Sequence, residues 1–415
     1  MGKRRVVVTG LGAVHPFGVG VPLLWQKVVA GENGVKIIRH FDTSDYYCKV
    51  GAYVENFNPL DYLDRKVVMA TDTFQQYGLV ATLEALKDSG LPVHSTDSFR
   101  IGIVAGSNNG GVSTILEEAE RYRRRGIYRV APLFIPRVEI DMLPGHIAIL
   151  TGIRGPNIGV TASCATGNIV IGWAFRLIQA GDIDVALAVG AEAAISPIAL
   201  SAFTQLRALA KMWPKDPTRS LRPFDKERTG TIFGDGASCL ILESLESAEK
   251  RNARIYAEVA GLGMSDDAYH FTAPDPEGTG AAYSMSAALR DAGLRPEELE
   301  HIHAHGTGTP YNDVTETRAI KKVFGQYAYH IPISATKAVH GHMLGAAGTT
   351  ESLITCLTLY HGIIPPTMNH ENPDDECDLD YVPQKARKQT VHTALVNAFG
   401  FGGHNASLVF KAHPG

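Results

Sequence analysis

At 415 residues the chain exceeds the usual size of one domain, so two domains or one large fused core are expected. Hydrophobic residues at 45% against 20% charged exclude a disordered or membrane-embedded composition, and a net charge of -4 gives no basic field for nucleic acid. Five cysteines, odd in number and without CxxC spacing, signal neither a disulfide framework nor a structural zinc site, so a reducing compartment fits.

The opening MGKRRVVVTG passes from basic residues straight into a strand without an apolar targeting region or cleavage site, which predicts a cytosolic protein. Strands are predicted at 6–8, 101–104, 158–160, 185–189 and 237–242, alternating with alanine- and leucine-rich helical runs, the pattern of an α/β fold. Several are apolar throughout, as strands covered on both faces are. GLGAVHPFG near the start imitates a dinucleotide turn, but GxGxxG requires glycine where His15 stands. The apolar stretch 185–203 holds Glu192 and Pro197, which argues against a membrane span.

Five segments recur in the same order. VVVTGLG (6–12) returns as AEVAGLG (257–263), ALKDSGL (85–91) as ALRDAGL (288–294), and the strand at 99–111 as that at 299–310. VTASCATG (160–167) answers ISATKAVHGHMLGAAG (333–348), and ASCLILESL (237–245) answers ASLVFKAH (406–413). The order implies two halves of one duplicated α/β unit, 1–252 and 253–415, with the chemistry between them.

Cys164 follows the strand ending near Ser163 and precedes the helical run 165–180, and Ala162, Ser163, Ala165, Thr166 and Gly167 around it are small enough for a sharp strand-to-helix elbow. A thiol there meets the positive end of the helix dipole, which predicts a lowered pKa, and the free N–H groups beside it suit an oxyanion. A small buried core cysteine is the competing reading. His305 is expected to end a strand and opens the loop Gly306-Thr307-Gly308-Thr309-Pro310, where α/β sheets bind ligands. His342 lies in a glycine-rich stretch with Gly341, Gly345 and Gly348, expected to be a helix start that permits close backbone approach. Either histidine alone is as compatible with a buried structural role. His301, His303 and His305 alternate as metal ligands on a strand would, but no acidic or cysteine ligand stands near, and no metal is expected.

These residues carry a resemblance. KRRVVVTGLG (3–12), RGPNIGVTASCATGN (154–168), LRPFDKERTG (221–230), AHGTGTP (304–310), SATKAVHGHMLGAAG (334–348) and NAFGFGGHNASLVF (397–410) are similar to the elongating β-ketoacyl-acyl carrier protein synthases, of the synthase II type, along nearly the whole chain. The resemblance implies a thiolase-like fold, a duplicated five-layered αβαβα core working as a homodimer in the cytoplasm, with no cofactor beyond the phosphopantetheine that acyl carrier protein brings. It implies a Cys164-His305-His342 triad, Lys337 organising the second histidine with Glu351 as its ion partner, and an oxyanion hole from the N–H groups of Cys164 and the gate residue Phe401. Thr307, Thr309, Asn109, Phe134, Phe399 and Phe401 match substrate-binding positions.

Three departures stand out. Asn109 replaces an isoleucine that in similar proteins lines the acyl tunnel, which predicts an altered chain length or a functionalised acyl group, because an unpaired amide against an alkyl chain costs about 1 to 3 kcal/mol. The basic patch at Arg65 and Lys66 lacks a further pair that relatives usually carry. Arg124, Arg125 and Arg129, with Arg121 and Arg123, form a second basic surface that is expected to help dock carrier, or is simply a solvated helix face. His340 replaces a threonine and reads as a surface change. A thiolase would need a second cysteine where Gly400-Phe401-Gly402-Gly403 stands, and a starter-unit synthase pairs cysteine with histidine and asparagine. A non-catalytic chain-length partner would not keep Cys164, whereas a ketosynthase of a dedicated polyketide or polyene pathway shares every feature.

Overall fold

The structure, a computed structural model, describes residues 3–413. Ten strands build its core: β1 (Val6–His15), β2 (Ile101–Gly106), β3 (Asn157–Val160), β4 (Val185–Glu192), β5 (Gly236–Ser244), β6 (Ala257–Asp266), β7 (His301–His303), β8 (Ile333–Ser334), β9 (Thr393–Phe399) and β10 (His404–Lys411). The five strands anticipated from apolar runs lie inside β1 to β5.

Their order is β8-β7-β9-β10-β6-β1-β5-β4-β2-β3. Outward from the β1/β6 seam, each half repeats first, fifth, fourth, second, third strand. The directions repeat too: β2 runs parallel to β3 and β4, as β7 does to β8 and β9, while β5 and β10 are antiparallel to their neighbours. The seam itself is antiparallel, with Val6 opposite Val259 and Val8 opposite Ala257.

The recurring Gly-Leu-Gly explains the duplication in contacts. Helices α1 (Thr73–Ser89) and α5 (Thr279–Asp291) pack on β1 and β6. A methyl on Gly12 would sit 2.0 Å from the Ala81 carbonyl oxygen, and one on Gly263 1.9 Å from that of Ser284, so only glycine lets each helix approach. The aspartate of each ALxDxGL copy accepts the leucine N–H of its own Gly-Leu-Gly: Leu11 donates to Asp88 and Leu262 to Asp291, both at 3.0 Å. Each copy also carries a bulge one residue before its first glycine, at Thr9 in β1 and Ala260 in β6. The glycines that imitate a nucleotide turn serve helix packing.

Helix α4 (Thr166–Ala180) and helix α8 (Ala347–His361) run between the two half-sheets, α4 touching β2 and β4 of its own half and β9 and β10 of the other. With α1 and α5 outside, the layers are αβαβα. The two central helices cross where Gly167 meets Gly348; a methyl on Gly167 would lie 2.4 Å from the Thr349 nitrogen. Both begin at this crossing, so the segments just before them, carrying Cys164 and His342, are brought to the middle of the molecule. Among the described residues no helix is long and apolar enough to cross a membrane.

Candidate active site

The turn after β3 bends at Ser163, whose φ of 51° lies in the left-handed region. Thr166 staples this elbow: its hydroxyl donates to the Ser163 carbonyl at 2.7 Å and accepts the Ala162 N–H at 2.8 Å. Cys164 is thereby presented at one wall of a cavity of about 530 Å³. His342 also reaches that wall, its Nε2 3.0 Å from the Cys164 sulfur. His305 completes the group, its ring centroid 5.4 Å from that of His342 and nearly perpendicular. The thiol comes from the first half of the chain and both imidazoles from the second.

Local structure differs from expectation around both histidines. β7 ends at His303, and His305 stands in the loop beyond, where Glu316 accepts the N–H groups of His305 and Gly306 at 2.8 and 2.9 Å. His342 does not start a helix. Helix α7 (Lys337–His340) ends at Gly341, and His342 forms an isolated β-bridge with Phe233, donating its N–H to the Ile232 carbonyl at 2.7 Å. Lys337 is likewise placed differently: its Nζ donates to the His305 carbonyl oxygen, lies 3.4 Å from His305 Nδ1 and pairs with Glu351. Its hydrogen bonds therefore go to the first histidine and to Glu351.

The resting thiol also departs from the helix-dipole expectation. Burial pushes Cys164 up to about 12, with Lys337 opposing. The dipole contributes only about 0.3 to 1 kcal/mol, which desolvation exceeds. Burial, then Lys337, holds His305 and His342 well below the ordinary imidazole range, so both are neutral. With Lys337 donating toward Nδ1, the proton of His305 sits on Nε2. His342 Nδ1 has no partner and is buried. A bare lone pair there costs less than an orphaned N–H, so Nε2 carries this proton as well. Both imidazoles therefore carry Nε2–H, and that of His342 faces the sulfur. Alkylation of Cys164 by iodoacetamide is expected to accelerate about tenfold per pH unit from 7 to 10 without levelling, measured beside Cys164→Ala; levelling below pH 8 would indicate a thiolate-imidazolium pair instead.

Thr307, Thr309, Phe399 and Phe401 all line the cavity, and the two threonine hydroxyls bond each other at 2.9 Å. Phe401 stacks on Phe203 with centroids 5.6 Å apart. A methyl on Gly400 would meet the Ala162 carbonyl oxygen at 2.8 Å and the Cys164 nitrogen at 3.1 Å, so the loop before Phe401 rests on the elbow itself. Asn109 and Phe134 fall outside the cavity walls. Glu192 holds the turn of Asn109 by accepting the N–H groups of Asn108 at 2.8 Å and Asn109 at 3.2 Å, while the Asn109 Nδ2 is buried without a partner. Arg65, Lys66, Arg124, Arg125 and Arg129 are exposed, Arg124 sharing Glu120 with Arg123.

Four features escaped the sequence. Glu192 also accepts the Gly345 N–H at 3.0 Å, so this buried carboxylate ties the 107–109 turn to the His342 segment, and burial pushes it up to about 7. Glu316 lies in a helix that reads as an ordinary charged surface. His340 is fully buried, not a surface change. Arg207, exposed with φ of 54°, lines the cavity and was not anticipated either. Among the described residues no group of three or more His, Cys, Asp or Glu could hold a metal ion.

The chain matches the profile of the Beta-ketoacyl synthase N-terminal domain over residues 3–248 and that of the C-terminal domain over 256–371. It is 45% identical to a 3-oxoacyl-[acyl-carrier-protein] synthase 2 of Coxiella burnetii, covering 99% of both chains. It is 42% identical to the protein of that name in Vibrio cholerae, covering 99% of this chain and 100% of the relative. Among solved structures it resembles the ishigamide ketosynthase/chain length factor at 36% identity and a TM-score of 0.91, over 99% of this chain and 100% of that one. It also resembles a type II PKS acyl-carrier protein complex with its ketosynthase bound to the hexaketide, at 31% identity and a TM-score of 0.93 over the same shares.

Proposed function

Since the chain belongs to the β-ketoacyl synthase family, we propose that it condenses an acyl group held on Cys164 with malonyl-acyl carrier protein, lengthening a fatty acyl chain by decarboxylative Claisen chemistry. The observation that carries this is the meeting of one thiol and two neutral imidazoles at a single cavity wall.

In the first half-reaction the Cys164 sulfur attacks the acyl thioester carbon, the carrier's sulfur leaves, and the thiol proton passes to it. The transient oxyanion is met by the N–H groups of Cys164 and Phe401. In the second, malonyl thioester loses carbon dioxide and its electron pair becomes an enolate, whose oxygen receives Nε2–H bonds from His305 and His342. The enolate carbon then attacks the acyl carbon, the bond to Cys164 breaks, and the sulfur takes a proton. No base is required, which suits imidazoles held neutral. Lys337, held by Glu351, fixes the His305 tautomer, and Phe401, flanked by Gly400 and Gly402, swings between the steps. Thr307 and Thr309 hold the phosphopantetheine arm, and the chemistry calls for no other cofactor.

The experiment is incubation with malonyl carrier and a panel of acyl carriers, reading β-ketoacyl products by mass; absence of any condensed product refutes the reading. The same panel addresses pathway. A product range of ordinary long saturated chains favours primary fatty acid synthesis, whereas polar or unsaturated acyl groups would fit a dedicated polyketide or polyene route.

The family likeness supports a cytoplasmic homodimer. The exposed edge of β3 and the exposed Ile135 and Ile149 on neighbouring helices offer a face for a second copy. Carrier docking is assigned to Arg65, Lys66, Arg124, Arg125 and Arg129, a cationic set for an acidic partner. Reversing Arg124 and Arg125 to glutamate is expected to raise the carrier KM about three- to tenfold, to flatten its salt dependence and to spare kcat. Unchanged affinity and salt response would remove these residues from the interface.

A further inference from the structure

The segments that carry the two imidazoles are joined behind the cavity by a continuous run of buried side chains. Thr355 Oγ1 donates to the Glu351 carbonyl at 2.8 Å and lies 3.1 Å from His303 Nδ1. His303 Nε2 is 3.0 Å from Thr336 Oγ1, which is 2.9 Å from His340 Nε2, and His340 Nδ1 is 2.8 Å from the Gly341 carbonyl. All four side chains are fully buried. One end of the run lies on α8, His303 lies on the strand that leads to His305, Thr336 adjoins Lys337, and the other end grips the residue before His342.

Both imidazoles in the run are neutral: burial holds His303 well below the ordinary range and takes His340 down to about 3. The four side chains then carry one mobile proton each, for five contacts ending on two carbonyls that only accept. One of the five contacts is therefore always left without a donor, and the Thr336 hydroxyl, which can donate to only one of the two imidazoles, couples their tautomers. With the His340 proton on Nδ1, which closes the Gly341 contact, Thr336 can donate to His340 Nε2 and accept from His303 Nε2, the contact without a donor then lying between His303 Nδ1 and Thr355. His342 depends on this frame because its own Nδ1 has no partner. Its ring inherits its place from the backbone, which the Ile232 carbonyl, the Gly234 N–H and the His340-held Gly341 fix.

We propose that His303 and His340, joined through Thr336, are positioning residues that set the spacing between His305 and His342. The inference rests on the enolate-binding role proposed above for those two imidazoles. Acylation of Cys164 needs the N–H groups of Cys164 and Phe401 and one imidazole; enolate stabilisation needs two donors converging on one oxygen. An error in spacing therefore weighs on the second step.

The test is a comparison of His340→Ala, His340→Asn and Thr336→Val with the wild-type protein in separated half-reactions: acyl-enzyme formation by intact mass, and condensation with malonyl carrier starting from preformed acyl-enzyme. His340→Ala and Thr336→Val are expected to slow condensation on the order of 10- to 100-fold while acylation changes by no more than about threefold. Asparagine, whose amide N–H replaces that of Nδ1, is expected to recover condensation to within about fivefold of wild type. Loss of both steps together, or of neither, overturns the proposal, as does an asparagine variant no better than alanine. Should His340→Ala fail to fold, Thr336→Val and His340→Asn decide it alone. Wild-type protein that does not condense, or His305→Ala that condenses normally, would instead overturn the reading of the site beneath it.

Discussion

Cys164→Ala is expected to give a protein that binds carrier but forms no acyl-enzyme, with condensation reduced by at least about 10⁴-fold. The size of the loss follows from the site: the remaining cysteines, Cys48, Cys239, Cys356 and Cys377, are buried and none lines the cavity, so no second thiol can take over. Carrier affinity is expected to persist because the docking surface proposed here is external to the cavity. Intact mass spectrometry after incubation with acyl carrier reads the first effect, and titration with carrier the second. A residual acyl adduct in this variant would place the nucleophile elsewhere and end the proposed mechanism.

Removing either imidazole is expected to be nearly as damaging to condensation, by about 10² to 10³-fold for His305→Ala and for His342→Ala, the value of one donor to a developing oxyanion. The two variants should part company at the acylation step. His342 lies 3.0 Å from the sulfur and its loss is expected to slow acyl-enzyme formation as well, whereas His305 makes no hydrogen bond to the thiol and its loss should leave that step nearly intact. Because both rings are held well below their ordinary range, wild-type condensation from preformed acyl-enzyme should not decline between pH 8 and pH 6 through their protonation. Single-turnover rates across that interval, and a fall following one proton with a midpoint near 6.5, would show that a charged imidazole blocks the reaction and that the burial argument is wrong.

Those features that depend on neighbours in sequence were open to reading. The elbow at Cys164 is written in the five small residues that flank it, and the duplicated topology in ordered repeats whose glycines and aspartates prove to make the same contacts twice. What stayed hidden depends on burial and on partners far along the chain. Burial raises the Cys164 thiol against the dipole, and a run of letters does not disclose how deep a helix end lies. Lys337 reaches His305, 32 residues away in the chain, and that spacing leaves no local mark. Glu192 clasps amides 84 and 153 residues away, and neither spacing leaves a local mark. Asn109 followed from likeness to other proteins, and in this structure its turn lies beyond the cavity wall.

The crossing of the two central helices at Gly167 and Gly348 makes the reactive centre a property of the joint, owned by neither arm. A chain in which only one arm is ordered has a thiol without imidazoles or imidazoles without a thiol. Loss of the crossing therefore parts the thiol from both imidazoles at once.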